Sequence, residues 1–293
     1  MIYKYSCTIM ISQTDHSSIT HFSELGYPDE TEQMIRNRLT DPELEEIAET
    51  AYSGEEFQFE LCNRRPLTRL TVVTYLLLSK YSDYKEKGVP DCIIFDTFRD
   101  VSLRAGLYYR RTGDVGISRE DVIWFRHIMN VKIFKIGVLQ FQPFKMIYLD
   151  EETIGEPYMT FQEEQKRALP DGAPVINCHI QHVASLEYQA VGQSLQKAWE
   201  FFRTYDPDIH FRAFLCGSWL LYPPMTKRLD SVSRIRQFAE RFKIIGSCKD
   251  SRQAMENLFE DGERRVLPRM TTLQQMAVDH EEWFGFACGI IEE

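Results

Sequence analysis

The spacing of apolar residues changes at Gly137, and that change limits the folds open to this chain. From Thr31 onward, apolar side chains recur at helical intervals, with Met34, Ile35 and Leu39 on one face. Asp41-Pro42 supplies an N-cap and a first-turn proline for a second helix, which turns Leu44, Ile47 and Ala48 inward. Arg65-Pro66 opens a third, rich in Leu and Tyr, that closes near Gly88. A fourth, from about Asp91, carries Ile94, Phe98, Val101 and Ala105 at the same interval. Ser118 and Asp121 have the spacing of a capping box for a helix that runs to Ile136 and stops at Gly137. Short apolar runs then take over. Residues 138–142 and 144–149 read as a hairpin-like pair around Pro143, and 175–183, 211–216, 242–247 and 284–291 read as further strands. Helical spacing returns between them at 188–202, 231–240 and 251–260, and in a segment opened by Thr272 and Gln275.

This order predicts an α/β (α+β) chain: a helical N-terminal domain (31–136) packed on a mixed central sheet flanked by helices (137–293), Gly137 being the only punctuation between them. Residues 1–30 are polar without period and read as a poorly ordered or loosely docked arm. The acidic segment 150–172, with Pro and Gly at its ends, reads as a surface insertion. Net charge is −10 with no basic run, which argues against nucleic acid and anionic membrane as partners. Seven scattered cysteines without a CxxC pair fit reduced thiols rather than a disulfide framework or a zinc site. With neither a secretory signal pattern nor a membrane-length apolar run, the reading is a soluble cytoplasmic protein. Its oligomeric state is left open.

Three segments carry a family resemblance: FRAFLCGSWLLYP at 211–223, CIIFDTFRD at 92–100 and CHIQHV at 178–183. With them the chain, over roughly residues 80–293, resembles bacterial acyltransferases that join a helical N-terminal domain to a GNAT-like C-terminal domain. The resemblance implies acyl transfer from acetyl-CoA or another acyl-CoA to a small-molecule acceptor, an amine that the sequence does not name. It also implies that pantetheine lies where strand 175–183 and its neighbour 211–216 splay apart. The phosphates would then sit on backbone amides at the start of the next helix, where unpaired N–H groups favour an anion.

Residue by residue, this assigns the cofactor site to Cys178, Ile180, His182, Val183, Ala184 and Ser185. The chain departs from the family pattern here: the family's strand ends His-Ile-Pro before a glycine-rich turn. This chain reads His179-Ile180-Gln181-His182 and has no glycine before Gly192, while Glu187 adds a negative charge. Alternation puts Asn177, His179 and Gln181 on one face. His179 fits either a base toward the acceptor amine or a structural hydrogen bond at the strand end. No third ligand accompanies His179 and His182, so no metal is expected. Cys216 fits a nucleophile only with an activating base, and otherwise a small buried apolar residue. In the family's run, similar to Cys-His-Ser-Trp-Leu-Leu-Asp-Pro, Gly217 stands here for His and Tyr222 for Asp. Tyr222 fits a general acid toward the leaving thiolate or a packed ring beside Trp219. Asp96 and Asp100, four apart, fit a carboxylate pair or a cap and an ion pair with Arg104. The competing reading is a non-catalytic GNAT-like binding module that has lost coenzyme A binding.

Overall fold

A computed structural model describes residues 16–55, 57–259 and 270–292, with side chains from His21 onward. The chain divides into two compact units, 1–134 and 135–293. Residues 1–15 of the expected arm, and the end of the helix expected at 251–260, lie outside the described residues.

In the first unit a 3-10 helix, His16–Leu25, precedes α1 (Asp29–Leu39) and α2 (Glu43–Thr50). A two-residue ribbon, β1 (Gly54–Glu55) with β2 (Gln58–Phe59), leads to α3 (Pro66–Ser79). Then come α4 (Tyr81–Glu86), α5 (Asp91–Phe98), α6 (Asp100–Thr112) and α7 (Arg119–Met129). The described part of the arm is docked, contrary to the sequence expectation: Phe22 and Leu25 are fully buried, and Tyr27 hydrogen-bonds Thr74 at 2.7 Å. Sparse apolar residues without period hid this, because the anchors are few and large. The single helix expected from Asp91 is two, broken at Arg99, yet Ile94, Phe98, Val101 and Ala105 are all buried. The Ser118–Asp121 capping box is formed in both directions.

The second unit is built on a six-stranded mixed sheet, ordered β3-β4-β5-β6-β8-β7. Its strands are β3 (Phe134–Ile136), which spans the unit boundary, β4 (Leu139–Lys145), β5 (Pro174–His179), β6 (Ala213–Ser218), β7 (Lys243–Cys248) and β8 (Phe286–Glu292). Its helices are α8 (Glu151–Ile154), α9 (Glu163–Ala168), α10 (Tyr188–Tyr205), α11 (Pro223–Thr226), α12 (Arg234–Ala239), α13 (Arg252–Leu258) and α14 (Thr272–Asp279). The hairpin expected around Pro143 turns instead at Gly137, whose φ of +65° suits glycine. Pro143 sits inside β4 opposite Ile176. Three-residue β3 is too short to flank that half of β4, so a missing N–H costs little there. The helix after Thr272 is capped one residue earlier than its spacing suggests, by a Thr271–Gln274 box.

Register assigns the two faces of this sheet. On one, Phe141, Ile176, Cys178, Phe214 and Cys216 align, and Trp199 of α10 stacks on Phe214 at 4.7 Å. On the other, Val175, Ala213, Leu215, Cys288 and Ile290 form a core with Met146, Tyr148, Met159, Phe161 and Leu169. Segment 150–172 is therefore more than a surface insertion. Its charged residues face water, but Met159, Phe161 and Leu169 cover this sheet face, and the Tyr148 hydroxyl donates to the carbonyls of Leu169 (2.6 Å) and Gln165 (3.2 Å). Counting only charges concealed those three apolar anchors.

Candidate active site at the β5–β6 fork

β5 and β6 run parallel, and their pairing begins well. Arg212 donates its N–H to the Pro174 carbonyl at 3.0 Å, then Ile176 pairs with Phe214 and Asn177 with Leu215. The ladder ends there, while both strands continue, β5 to His179 and β6 to Ser218. By contrast, β6 remains paired with β8 through Ser218. At the C-terminal ends of β5 and β6 the pairing between these two strands is absent, while each stays paired with its outer neighbour. Backbone donors and acceptors beyond a ladder's last rung are a ready binding edge for an extended chain.

Counting on from the last pair, Cys178 faces Cys216 on the α10 side of the sheet and His179 faces Gly217 on the other. Both thiols are buried. Contact with Cys178, together with burial, holds the Cys216 thiol well above the ordinary range. A thiolate is the reactive species, so this setting disfavours Cys216 as a nucleophile and favours its packing role.

His179 lies at the end of β5, partly buried, with Nε2 3.0 Å from Gln142 Oε1 on β4. Burial lowers its pKa to about 4, so the imidazole is neutral at neutral pH. On the neighbouring strand, Gln140 pairs directly with His179 and Gln142 with Asn177, and both glutamines are buried. Sequence reasoning missed these two glutamines. Two polar residues alternating on the inner face of an otherwise apolar strand were the available signal.

Beyond β5 the chain leaves the sheet. Ile180 is partly buried and Gln181 buried, its carbonyl accepting from Ala184 N–H at 2.9 Å. His182, Val183 and Ser185 are exposed, and Leu186 anchors the turn. Glu187 is the N-cap of α10 and makes no side-chain cap bond. Of the residues expected to hold a cofactor, Cys178 is buried within β5, whereas His182, Val183, Ala184 and Ser185 lie in a largely exposed turn before the eighteen-residue helix α10. A cation that sequence reading did not find sits beside its first turn. Arg241 donates Nη2 to the Tyr188 carbonyl at 2.6 Å, and its guanidinium lies 3.7 Å from the Tyr188 ring. Gly192 lies next to the guanidinium; a Cβ there would stand 3.4 Å from Arg241 Nη2, an ordinary contact distance.

Tyr222 is buried; its ring packs over Gly285, where an added Cβ would fall 2.6 Å from Tyr222 Cζ, and beside Cys248 of β7. Burial, and next the Cys248 side chain, raise its pKa. These contacts favour the packed-ring reading of Tyr222. Trp219 packs on Phe284 and donates its backbone N–H to Gln253. In the first unit Asp96 pairs with Arg99 at 2.8 Å, and buried Asp100 accepts from Arg104 Nε (3.1 Å) and Trp124 Nε1 (2.8 Å). Both carboxylates are committed to structure. Among the described residues, no group of three or more His, Cys, Asp or Glu is placed to hold a metal ion, and no helix is long and apolar enough to cross a membrane.

Residues 133–283 match the GNAT-like C-terminal domain, and residues 20–131 match the N-acyltransferase N-terminal domain. The chain belongs to this acyltransferase family. No curated protein matches it significantly in sequence. Among solved structures, it is similar to an acyltransferase in complex with decanoyl-CoA and teicoplanin: TM-score 0.71, 16% identity, covering 98% of this chain and 91% of that one. A mutant acyltransferase in complex with octanoyl-CoA gives a TM-score of 0.70 at 16% identity, covering 98% and 91%. An acyltransferase with decanoyl-CoA gives 0.66 at 19% identity, covering 97% and 89%. At these identities the likeness establishes the fold.

Proposed function

We propose that this GNAT-like chain is an acyl-CoA-dependent N-acyltransferase that acylates a small amine at the β5–β6 fork. The observation that carries this reading is the early end of the β5–β6 ladder, just before α10, in a fold shared with acyl-CoA-bound acyltransferases. Pantetheine runs as an extra strand segment in the gap, with its phosphates at the 182–187 turn. A glycine-poor turn approaches phosphate less closely, and Arg241 supplies charge beside it. The thioester carbonyl comes to the fork, where backbone N–H groups stabilise the developing oxyanion.

The free amine attacks that carbonyl, forming the C–N bond. Collapse of the tetrahedral intermediate breaks the C–S bond, the amine nitrogen loses a proton, and coenzyme A leaves as the thiol. His179 is held neutral and bonded to Gln142, with too low a pKa to store that proton at neutral pH. It orients the amine and relays the proton toward solvent. Rate then follows deprotonation of the acceptor itself, so most of the catalysis is positioning.

The second reading, a module that keeps the fold without catalysis, is favoured by the acidic Glu187 at the α10 N-cap. The test is calorimetry with coenzyme A and acyl-CoA, followed by thiol release with a panel of amines. Binding with amine-dependent release supports the enzyme. No binding of coenzyme A or acyl-CoA supports the module that has lost coenzyme A binding, and binding without release from any amine overturns that module and the catalytic reading alike. Arg241→Ala should weaken coenzyme A about tenfold, the usual range for one charge-assisted phosphate contact.

A further inference from the structure

Gln142 is buried on β4 although its side chain is polar, and so is Gln140 two residues before it. β4 and β5 are antiparallel, with Gln140 opposite His179 and Gln142 opposite Asn177. Directly opposite residues share a face, so these four side chains lie on one side of the sheet. His179 reaches diagonally across it: Nε2 lies 3.0 Å from Gln142 Oε1. The imidazole therefore leans toward β4 and back along β5, to the level of Asn177. It does so at the end of β5 where pairing with β6 has stopped.

An amide oxygen has no proton to give. A hydrogen bond between Oε1 and Nε2 therefore puts the proton on Nε2, with the ring donating. A neutral imidazole carries one N–H, so Nδ1 is then the unprotonated, accepting nitrogen. The two nitrogens point to nearly opposite sides of a rigid ring. With Nε2 turned to β4, Nδ1 is turned away from it. Burial keeps this ring neutral, and an amide, unlike a carboxylate, brings no charge that would reverse that. A glutamine at 142 orients the imidazole without charging it.

We propose that Gln142 is a positioning residue for acyl transfer: it fixes His179 as the Nε2–H tautomer and so makes Nδ1 the atom that accepts the N–H of the attacking amine. The proposal rests on the acyltransferase reading and names the atom, and its support, within it. An amine whose N–H is held by Nδ1 keeps its lone pair for the thioester carbonyl. In the other tautomer Nδ1 carries the hydrogen and meets the amine as a second donor, which competes for that lone pair. A side chain that orients a histidine through its far nitrogen is worth about ten- to a hundredfold in activity where the histidine binds a metal, and a loss at the lower end of that range is expected here.

The first measurement needs neither ligand nor variant. Nitrogen NMR of the labelled imidazoles in the full chain at neutral pH should show His179, assigned through its Cβ to the β5 backbone, with a proton on Nε2 and none on Nδ1. A proton on Nδ1, or an even mixture of the two forms, overturns the proposal and leaves the acyltransferase reading intact. The second measurement uses Gln142→Met, which keeps the length of the buried side chain and removes the acceptor. In this variant the tautomers should become mixed, kcat should fall about tenfold, and the acyl-CoA dissociation constant should stay within about twofold. A fall in kcat of less than about threefold overturns the proposal. So does an equal loss of acyl-CoA affinity, which shows a distorted fork rather than a misplaced ring. If no amine releases thiol from the unmodified chain, the acyltransferase reading falls, and the positioning role falls with it whatever the tautomer.

Discussion

His179 is expected to make the second unit less stable as pH falls. Its pKa drops from 6.5 to about 4 because the charged form is desolvated at the end of β5. In the unfolded chain the imidazole returns to its ordinary range. Between those two values the unfolded state therefore binds the proton that the folded state refuses. By linkage, unfolding free energy rises with pH across this window. The contribution is fully present above about pH 6.5 and is lost progressively toward pH 4. Its size is set by the distance between the two pKa values, at most about 3 kcal/mol. Two measurements check it. Proton NMR of the labelled imidazoles should show one of the seven histidines titrating near pH 4, and its signal should vanish in His179→Gln. Urea unfolding at pH 7 and pH 4.5 should show a loss of about 2 kcal/mol that is absent from His179→Gln. A His179 midpoint above about 6, or an equal pH dependence in the variant, would refute the claim that burial at the fork keeps this ring neutral.

Other positions give sharper structural tests. Asp100→Ala leaves partly buried Arg104 without one partner and removes the acceptor of Trp124 Nε1, and should cost about 3 kcal/mol in urea unfolding of the first unit; a loss under about 1 kcal/mol would mean that the carboxylate is solvated. Gly246→Ala would set a Cβ 2.5 Å from Phe161 Cε1, so a loss of about 1–3 kcal/mol is expected, with a lower melting temperature. An unchanged melting temperature would show that segment 150–172 is not seated on the sheet. Cys216→Ala should keep its acyl-CoA affinity within about threefold and its turnover within about tenfold, whereas a nucleophile would lose far more. A complete loss of thiol release in a folded Cys216→Ala protein would restore the covalent mechanism.

The places where sequence reasoning succeeded share one property: their signal is local. Ile94, Phe98, Val101 and Ala105 are buried as their interval predicts, even though Arg99 divides their helix in two. The Ser118–Asp121 box forms because both of its bonds close within four residues. Failures came where a few large anchors decided the outcome. Phe22 and Leu25 dock a segment with no period, and Met159, Phe161 and Leu169 tie an acidic stretch to the sheet.

By itself, the sequence determined that a helical region gives way near Gly137 to a mixed α/β region, and which residues alternate onto each strand face. Periodicity encodes the direction a side chain takes from its own backbone. It does not encode the neighbour that the side chain meets. Tertiary structure alone decided that the β5–β6 ladder stops after Asn177 and Leu215, that Gln142 partners His179, and that Arg241 caps the Tyr188 ring and carbonyl. Each of these joins segments distant in the chain, and each depends on packing that no short window of residues contains. The fork is such a feature: it exists because two strands that pair at one end are held to different neighbours at the other.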